Sequence, residues 1–532
     1  MAKPKTPNQK RKYGELNKRI AKYVMLVESI YEDLNLEAAK IVGITDFTID
    51  RPFMWSDYPQ TRKRIRDLQE RFVEDIGAVI YSGTSEEWKN SNEVQDLLAN
   101  KVLQTYGATI GKEKYEILYQ PNNDALKAFQ QRKDKGFPIS DKLWNQSTLY
   151  KQELEEAISC AIQKGTSAIT LSKQISKYLL DFPQLQKDYK DRFGKASRAM
   201  DCEYRSIRLV ASEINMAYRQ AENLRWQQMD FVVGYEIKLS GSHHIDDICD
   251  QLKGKYPKTF VWTGWHPNDM CYKIPILKTE EEFWEWDGRN EATTASVNEV
   301  KDVPDAFKKW VLDNQERIST AKKRNTLPYF LRDNKSVYQK ITVESSISEI
   351  VKRASSVGDE VQSIAERIAI KNGGYVTPIN FKSTTSITRK VITEGITPYD
   401  IKDAVRTTII VPKSRIEDVL EELYKTEGFL RLKRQKPESF MGYSGNIVNI
   451  RTTNGLTAEI QVNTERMIFA KERPEDAKRI LGKKRWEEIH NETGMEGGLG
   501  HKYYEQWRIL DKSSNEALKI VEKSIEYYSH FR

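Results

Sequence analysis

Cysteine is scarce, four in 532 residues. That excludes a disulfide-stapled framework and fits a reducing compartment. Histidine is nearly as rare, six in all, so any clustering of the two residue types carries information. No apolar run approaches the roughly 20 residues that a bilayer-spanning helix needs, and no membrane partner is expected. The N-terminal stretch, Met1 to Lys12, is basic but lacks the apolar core of a secretory signal. It reads as a disordered arm, either one that meets nucleic acid or an acidic partner, or a solvated tail. A large excess of one charge is also missing. The formal net charge of +8 is too small for this length to mark a nucleic-acid binder by itself.

What is present is the balance of a folded chain, 39% hydrophobic and 30% charged. It is too long for one ordinary core, so two or three domains are expected. Residues 1–150 read as a helical bundle with a structural role. Ile65, Leu68, Phe72, Ile76 and Ile80 recur at helical spacing, and Gly83-Thr-Ser85 reads as a break before the next helix. Residues 151–277 continue with helices up to about Met229. A strand follows at Phe231–Leu239, then a polar loop and a closing segment. Residues 278–334 read as a connector. Residues 335–532 form a last domain of alternating helices and strands. The expected class is multidomain, mainly α with a small α+β loop unit, followed by an α/β domain with a mixed sheet.

Half of the cysteines (Cys249, Cys271) and half of the histidines (His243, His244, His266) fall between residues 243 and 271. One reading is a zinc knuckle built from Cys249, His266, Cys271 and a histidine, His244 or its neighbour, since zinc takes four such ligands in a closed site. The other is a tight loop with buried thiols and no metal. This stretch resembles the phage head-morphogenesis proteins typified by the F protein of phage Mu. The resemblance rests on Glu213 and Asn215 in the helix, on Asp246-Asp-Ile-Cys249, and on His266-Pro-Asn-Asp-Met-Cys271 running on to Pro275. It departs from that pattern at Asp269, where the family often has a cysteine. It implies a minor capsid protein near the portal, with portal and capsid proteins, and phage DNA, as partners.

The last domain carries the residues that suggest chemistry. Lys382, Ser386 and Lys390 are four apart, which on a helix puts two ammonium groups and a hydroxyl on one face. That stripe suits a polyphosphate. Asp403 and Arg406 lead into Thr407-Thr-Ile-Ile-Val411, which reads as a buried strand. Gly442-Tyr443 follows, then a strand from Leu456 to Val462. Its alternation sets Thr457, Glu459 and Gln461 on one face and Ala458, Ile460 and Val462 on the other. Two carboxylates on neighbouring strands suit Mg²⁺, which shares substrate phosphates. Arg431-Leu-Lys433-Arg434-Gln-Lys436 is a basic run that serves a nucleotide or tRNA, or is a solvated loop. His501 and Arg508, on a helix after a glycine-rich turn, either brace the sheet or border the site.

In this order the elements resemble the synthetase domain of the RelA/SpoT homologues. That resemblance implies a pyrophosphokinase that moves pyrophosphate from ATP to a 3′-hydroxyl of GDP, GTP or tRNA. Lys382, Arg389, Lys390 and Arg406 would bind phosphate, with Ser386 on a phosphate oxygen. Asp403 and Glu459 would hold Mg²⁺, Glu459 also taking the proton, and Tyr443 would stack on the acceptor base. Gln461 belongs to the same motif. The family places its arginine five residues after the acid, and here Arg406 follows Asp403 by three, which leaves Asp400 as the alternative ligand. The metal motif of the family's hydrolase domain is absent, as in a toxin. The combined expectation is a phage minor head protein with a C-terminal effector, in the virion head or near the portal and in the bacterial cytoplasm. The alternative is a purely structural virion protein whose last domain is inactive.

Overall fold

The computed structural model describes residues 4, 6–107, 112–163, 166–241, 246–285, 295–435 and 440–532. They divide into two compact units, Met1–Tyr338 and Gln339–Arg532. Among the described residues, no helix is long and apolar enough to cross a membrane.

The first unit is mainly helical. Helices Gln9–Val42, Arg62–Tyr106, Ile139–Ala161 and Cys202–Gln228 enclose a core that includes Tyr31, Phe72, Ile76, Tyr150, Leu154 and Ile214. The expected break at Gly83 does not occur, because Arg62–Tyr106 runs through it without interruption. A Cβ on Gly83 would lie 2.3 Å from Ile214 Cδ1, so this glycine lets two helices approach closely. Thr84 and Ser85 turn their hydroxyls back onto the Tyr81 carbonyl (3.1 and 2.8 Å) and so stay in the helix.

A small antiparallel sheet follows: β1 (Val232–Lys238) lies between β2 (Gly254–Tyr256) and β3 (Tyr272–Leu277). The described residues of the stretch read as a connector form short helices. Helix Asp305–Asp313 buries Phe307 and Val311, and the Phe307 ring lies 5.3 Å from Phe260 and 6.3 Å from Trp265.

The second unit is a mixed sheet with helices. Six strands are described: β4 (Tyr375–Val376), β5 (Asn380–Phe381), β6 (Val405–Ile410), β7 (Phe429–Gln435), β8 (Gly445–Arg451) and β9 (Thr457–Asn463). Their order is β4-β6-β9-β8-β7, with β5 also on β6. β6 and β9 are parallel and central, with Arg406 opposite Glu459 and Thr408 opposite Gln461. The other pairs are antiparallel. Val405, Ile409, Ala458, Ile460 and Val462 fill the core with Val361, Ala365 and Ile368 of helix Gly358–Lys371. This covers one face of the sheet and leaves the polar residues of β9 on the other.

The basic run read as serving a nucleotide or tRNA, or as a solvated loop, lies largely in β7, the outermost strand of that order. Arg431, Lys433 and Arg434 are exposed there. Arg434 forks onto Glu417 (2.5 and 2.7 Å) and Arg431 Nε donates to Asn449 (2.9 Å). Lys436 lies outside the described residues.

Candidate functional site

The site in the second unit forms where the approach to β6 meets the helix after β5. That helix is Thr384–Glu394, and Ser383 caps it by accepting from the Ser386 amide. The cap puts Lys382 before the helix, so it does not share a helical face with Ser386 and Lys390 as the spacing suggested. The two ammonium groups converge all the same. Lys382 Nζ lies 2.5 Å from Asp403 Oδ2 and Lys390 Nζ 3.0 Å from Oδ1. Ile387 and Val391 bury the inner side of the helix and turn Lys390 toward the acid. Arg389 is exposed on the same helix.

Burial disfavours the Asp403 carboxylate, but Lys382 and then Lys390 outweigh it and hold its pKa below the usual value. Asp400 is exposed and closes a turn by accepting from Thr397 N and Oγ1 (2.9 and 2.7 Å). Of the two acids, Asp403 is the one among the lysines.

The pH dependence of stability follows from that shift. A lowered folded pKa contributes stability in full above the unfolded value and loses it as pH falls through the folded value. The difference in melting temperature between wild type and Asp403→Asn should be present at neutral pH and shrink below about pH 3.9. Equal differences at pH 7 and pH 3 in thermal scans would show that the Asp403 charge is not stabilising.

A second group lies on the polar face of β9. Gln461 Nε2 donates to Glu459 Oε1 (2.6 Å), and Lys471 Nζ donates to Gln461 Oε1 (2.8 Å) and pairs with Glu472 (3.1 Å). Arg406 joins them from β6, with Glu459 as its cross-strand partner. Burial works against the Lys471 ammonium, yet the Tyr443 hydroxyl and Glu472 hold its pKa above the usual lysine value. Burial likewise works against Glu472, and Lys471, Arg406 and His501 keep it ionised.

Lys471 and Glu472 were not singled out from sequence. The signal was there: Thr464 caps helix Glu465–Lys471, and seven residues, two turns, bring Lys471 back over the strand that precedes it.

Tyr443 stands beside this group. Its Oη exchanges hydrogen bonds with Asn463 (2.9 and 3.1 Å), and its ring meets Tyr528 edge-on at 5.7 Å. It is half-buried, and the Lys471 ammonium sits 5.6 Å from its ring centre. His501 borders a cavity of about 570 Å³ with Arg473 and Glu505. Arg508 pairs with Glu505 of its own helix (3.1 Å), which explains its position without a ligand.

Lys382, Lys390, Arg406 and Lys471 against Asp403, Glu459 and Glu472 leave cations in excess, as a polyphosphate requires. Asp403 and Glu459 offer the hard oxygen donors that Mg²⁺ takes together with substrate phosphates, so the residues fit that ion.

In the first unit, Cys249 Sγ lies 3.2 Å from His266 Nε2, and His266 Nε2 lies 3.2 Å from Asp247 Oδ2. Cys249, Asp269 and Cys271 form a second close group. His244 and His243 lie outside the described residues. Asn215 and Arg219 of helix Cys202–Gln228 donate to the Asp269 carbonyl (2.7 and 2.6 Å), fixing this segment from below.

No family model matches the chain. Over 181 residues it is 36% identical to the (p)ppApp synthetase toxin Tas1 of Pseudomonas aeruginosa (strain UCBPP-PA14), a match that takes in 34% of this chain and 41% of that protein. The chain thus spans less than half the length of this curated relative. Among solved structures, the complex between the Type VI effector Tas1 and its immunity protein is similar at 36% identity. That match covers 35% of this chain and 97% of the other, with a TM-score of 0.33. The small alarmone synthetase 1 from Bacillus subtilis is similar at 14% identity, over 34% of this chain and 89% of the other, with a TM-score of 0.24. The sequence match to Tas1 supports a synthetase domain in this chain.

Proposed function

We propose that the Gln339–Arg532 unit transfers pyrophosphate from ATP to the 3′-hydroxyl of an acceptor nucleotide. The observation that carries this is the convergence of Lys382 and Lys390 on Asp403, beside a parallel strand pair that carries Arg406 and Glu459 on one register. Lys382, Arg389, Lys390 and Arg406 bind the phosphates, and Ser386 bonds a phosphate oxygen. The acceptor oxygen attacks the β-phosphorus of ATP, the bond to the α–β bridging oxygen breaks, and AMP leaves. Glu459 takes the proton from the acceptor hydroxyl. Mg²⁺, held by Asp403 and Glu459, would supply charge neutralisation on the phosphates. The match to a (p)ppApp synthetase toxin supports this reading and brings adenine nucleotides into the acceptor range beside GDP, GTP and tRNA.

The test is full-length protein with Mg²⁺ and γ-labelled ATP, offered ADP, ATP, GDP, GTP and tRNA in turn. Label should appear in at least one acceptor, with AMP released in equal amount. Release of ADP, or no labelled acceptor, would overturn it and leave the reading of an inactive virion protein.

We read the Met1–Tyr338 unit as the head-morphogenesis part, with portal and capsid proteins as partners, a virion location and an effector delivered to or made in the host cytoplasm. Its support is that the quoted residues meet in space: Asn215 on the Asp269 carbonyl and Cys249 on His266.

A further inference from the structure

We propose that Lys273 and Asn223 of the first unit join in an intramolecular amide bond, which the chain forms by itself with Glu222 as proton relay. Lys273 lies in β3, and Glu222 and Asn223 are neighbours on helix Cys202–Gln228. Lys273 Nζ meets Asn223 Oδ1 directly and lies 3.5 Å from Glu222 Oε2. The side chains of Lys273 and Glu222 are fully buried, and Asn223 is 3% exposed. The ring centres of Trp226 and Tyr235 lie 4.6 and 5.0 Å from Nζ. An amine, a carboxamide and a carboxyl group are thus enclosed together among aromatic rings.

The carboxamide is held for attack. Asn223 Nδ2 donates to the Trp262 carbonyl (3.1 Å), which fixes the amide plane and turns its oxygen to the lysine. The amide carbon lies one carbonyl bond, about 1.23 Å, beyond that oxygen. Nζ therefore stands within reach of the roughly 3–3.5 Å separation from which such attacks start. Tyr13 Oη donates to Glu222 Oε2 (2.6 Å) and Gln95 Nε2 to Oε1 (3.4 Å), and these bonds keep the carboxylate beside the lysine.

Burial supplies the activation. In the chain as first folded, Lys273 and Glu222 are an ion pair, and an ammonium group has no lone pair to attack with. Passing one proton to Glu222 leaves a neutral amine and a neutral acid, the forms that a site without water favours. The Nζ lone pair then bonds to Cγ, and the Cγ–Nδ2 bond breaks with its electrons staying on the departing nitrogen. Nζ begins with three protons and keeps one in the new amide. The two that it gives up pass through Glu222 to the departing nitrogen, which leaves as ammonium. Glu222 is a carboxylate before and after, as a relay must be. The step needs no oxidant and no second reactant.

The bond would close a loop between positions 50 apart, a loop that contains β2 and most of the small sheet's connections. It would tie that sheet to the helix by a link that denaturant cannot break.

The test uses the full chain, incubated overnight and weighed intact by mass spectrometry in denaturant. Wild type should weigh about 17 Da less than its sequence, the mass of one ammonia. Trypsin should release a branched peptide in which Gln220–Arg225 is joined to the segment through Lys273, where it no longer cuts. Glu222→Gln, Asn223→Ala and Lys273→Arg should each weigh what their sequences require. Wild type at its full sequence mass, with the two segments released apart, would overturn the bond even if every variant fails to fold. The branched peptide in Glu222→Gln would overturn the relay.

Discussion

Glu459→Gln should leave the second unit folded and lower pyrophosphate transfer by at least about a hundredfold, the low end for loss of a general base. The substitution keeps the shape of the side chain and removes its charge. Glu459 is half-buried on β9, and its described hydrogen bond is to Gln461, which an amide oxygen can still accept. Ala458 and Ile460, which hold the strand in the core, are untouched. The melting temperature should therefore change little while single-turnover rates fall. If rates fall and AMP is still released, water has replaced the acceptor and Glu459 positions rather than deprotonates it. A variant that transfers at the wild-type rate would remove Glu459 from the chemistry.

The second large effect is expected in the first unit. Glu222 and Lys273 are fully buried in the first unit and 3.5 Å apart. Tyr13 donates to Glu222 (2.6 Å), and the Lys273 ammonium also bonds Asn223 and lies 4.6 Å from the Trp226 ring centre. Burial pushes the lysine down to about 8 and the glutamate up, so each depends on the other to stay charged. Glu222→Leu strands an ammonium group without its counter-charge and should cost about 3–5 kcal/mol. Adding Lys273→Met should recover part of the loss, because no charge is then left unpaired. Denaturant unfolding of the first unit measures both, and a single-variant loss below about 1 kcal/mol would show that water or another acid serves Lys273.

Local signals in the sequence were readable where one residue type meets one physical need. The β9 alternation put Glu459 and Gln461 opposite Ala458, Ile460 and Val462, as found. Lys382 and Lys390 could be grouped by spacing, but their meeting point could not be read, because Asp403 reaches them only when β5 pairs with β6. Gly83 misled for a similar reason. A glycine that ends a helix and one that admits a neighbouring helix look alike until Ile214 is seen beside it. Lys471 and Glu472 were overlooked because a half-buried ion pair at a helix end reads in sequence as two ordinary surface charges.

The cations of β7 bear on how this protein behaves in a tube. The outer strand of a sheet offers a row of backbone donors and acceptors to any strand that comes near. Arg431 and Lys433 stand two apart on that strand, so two copies meeting edge to edge bring like charges together. This repulsion is Coulombic, and salt removes it: the screening length falls from about 10 Å at 0.1 M to about 3 Å at 1 M. High salt, the usual remedy for a basic protein that clings to nucleic acid, would here strip the guard from the sheet. Concentrated stocks should keep best at modest ionic strength.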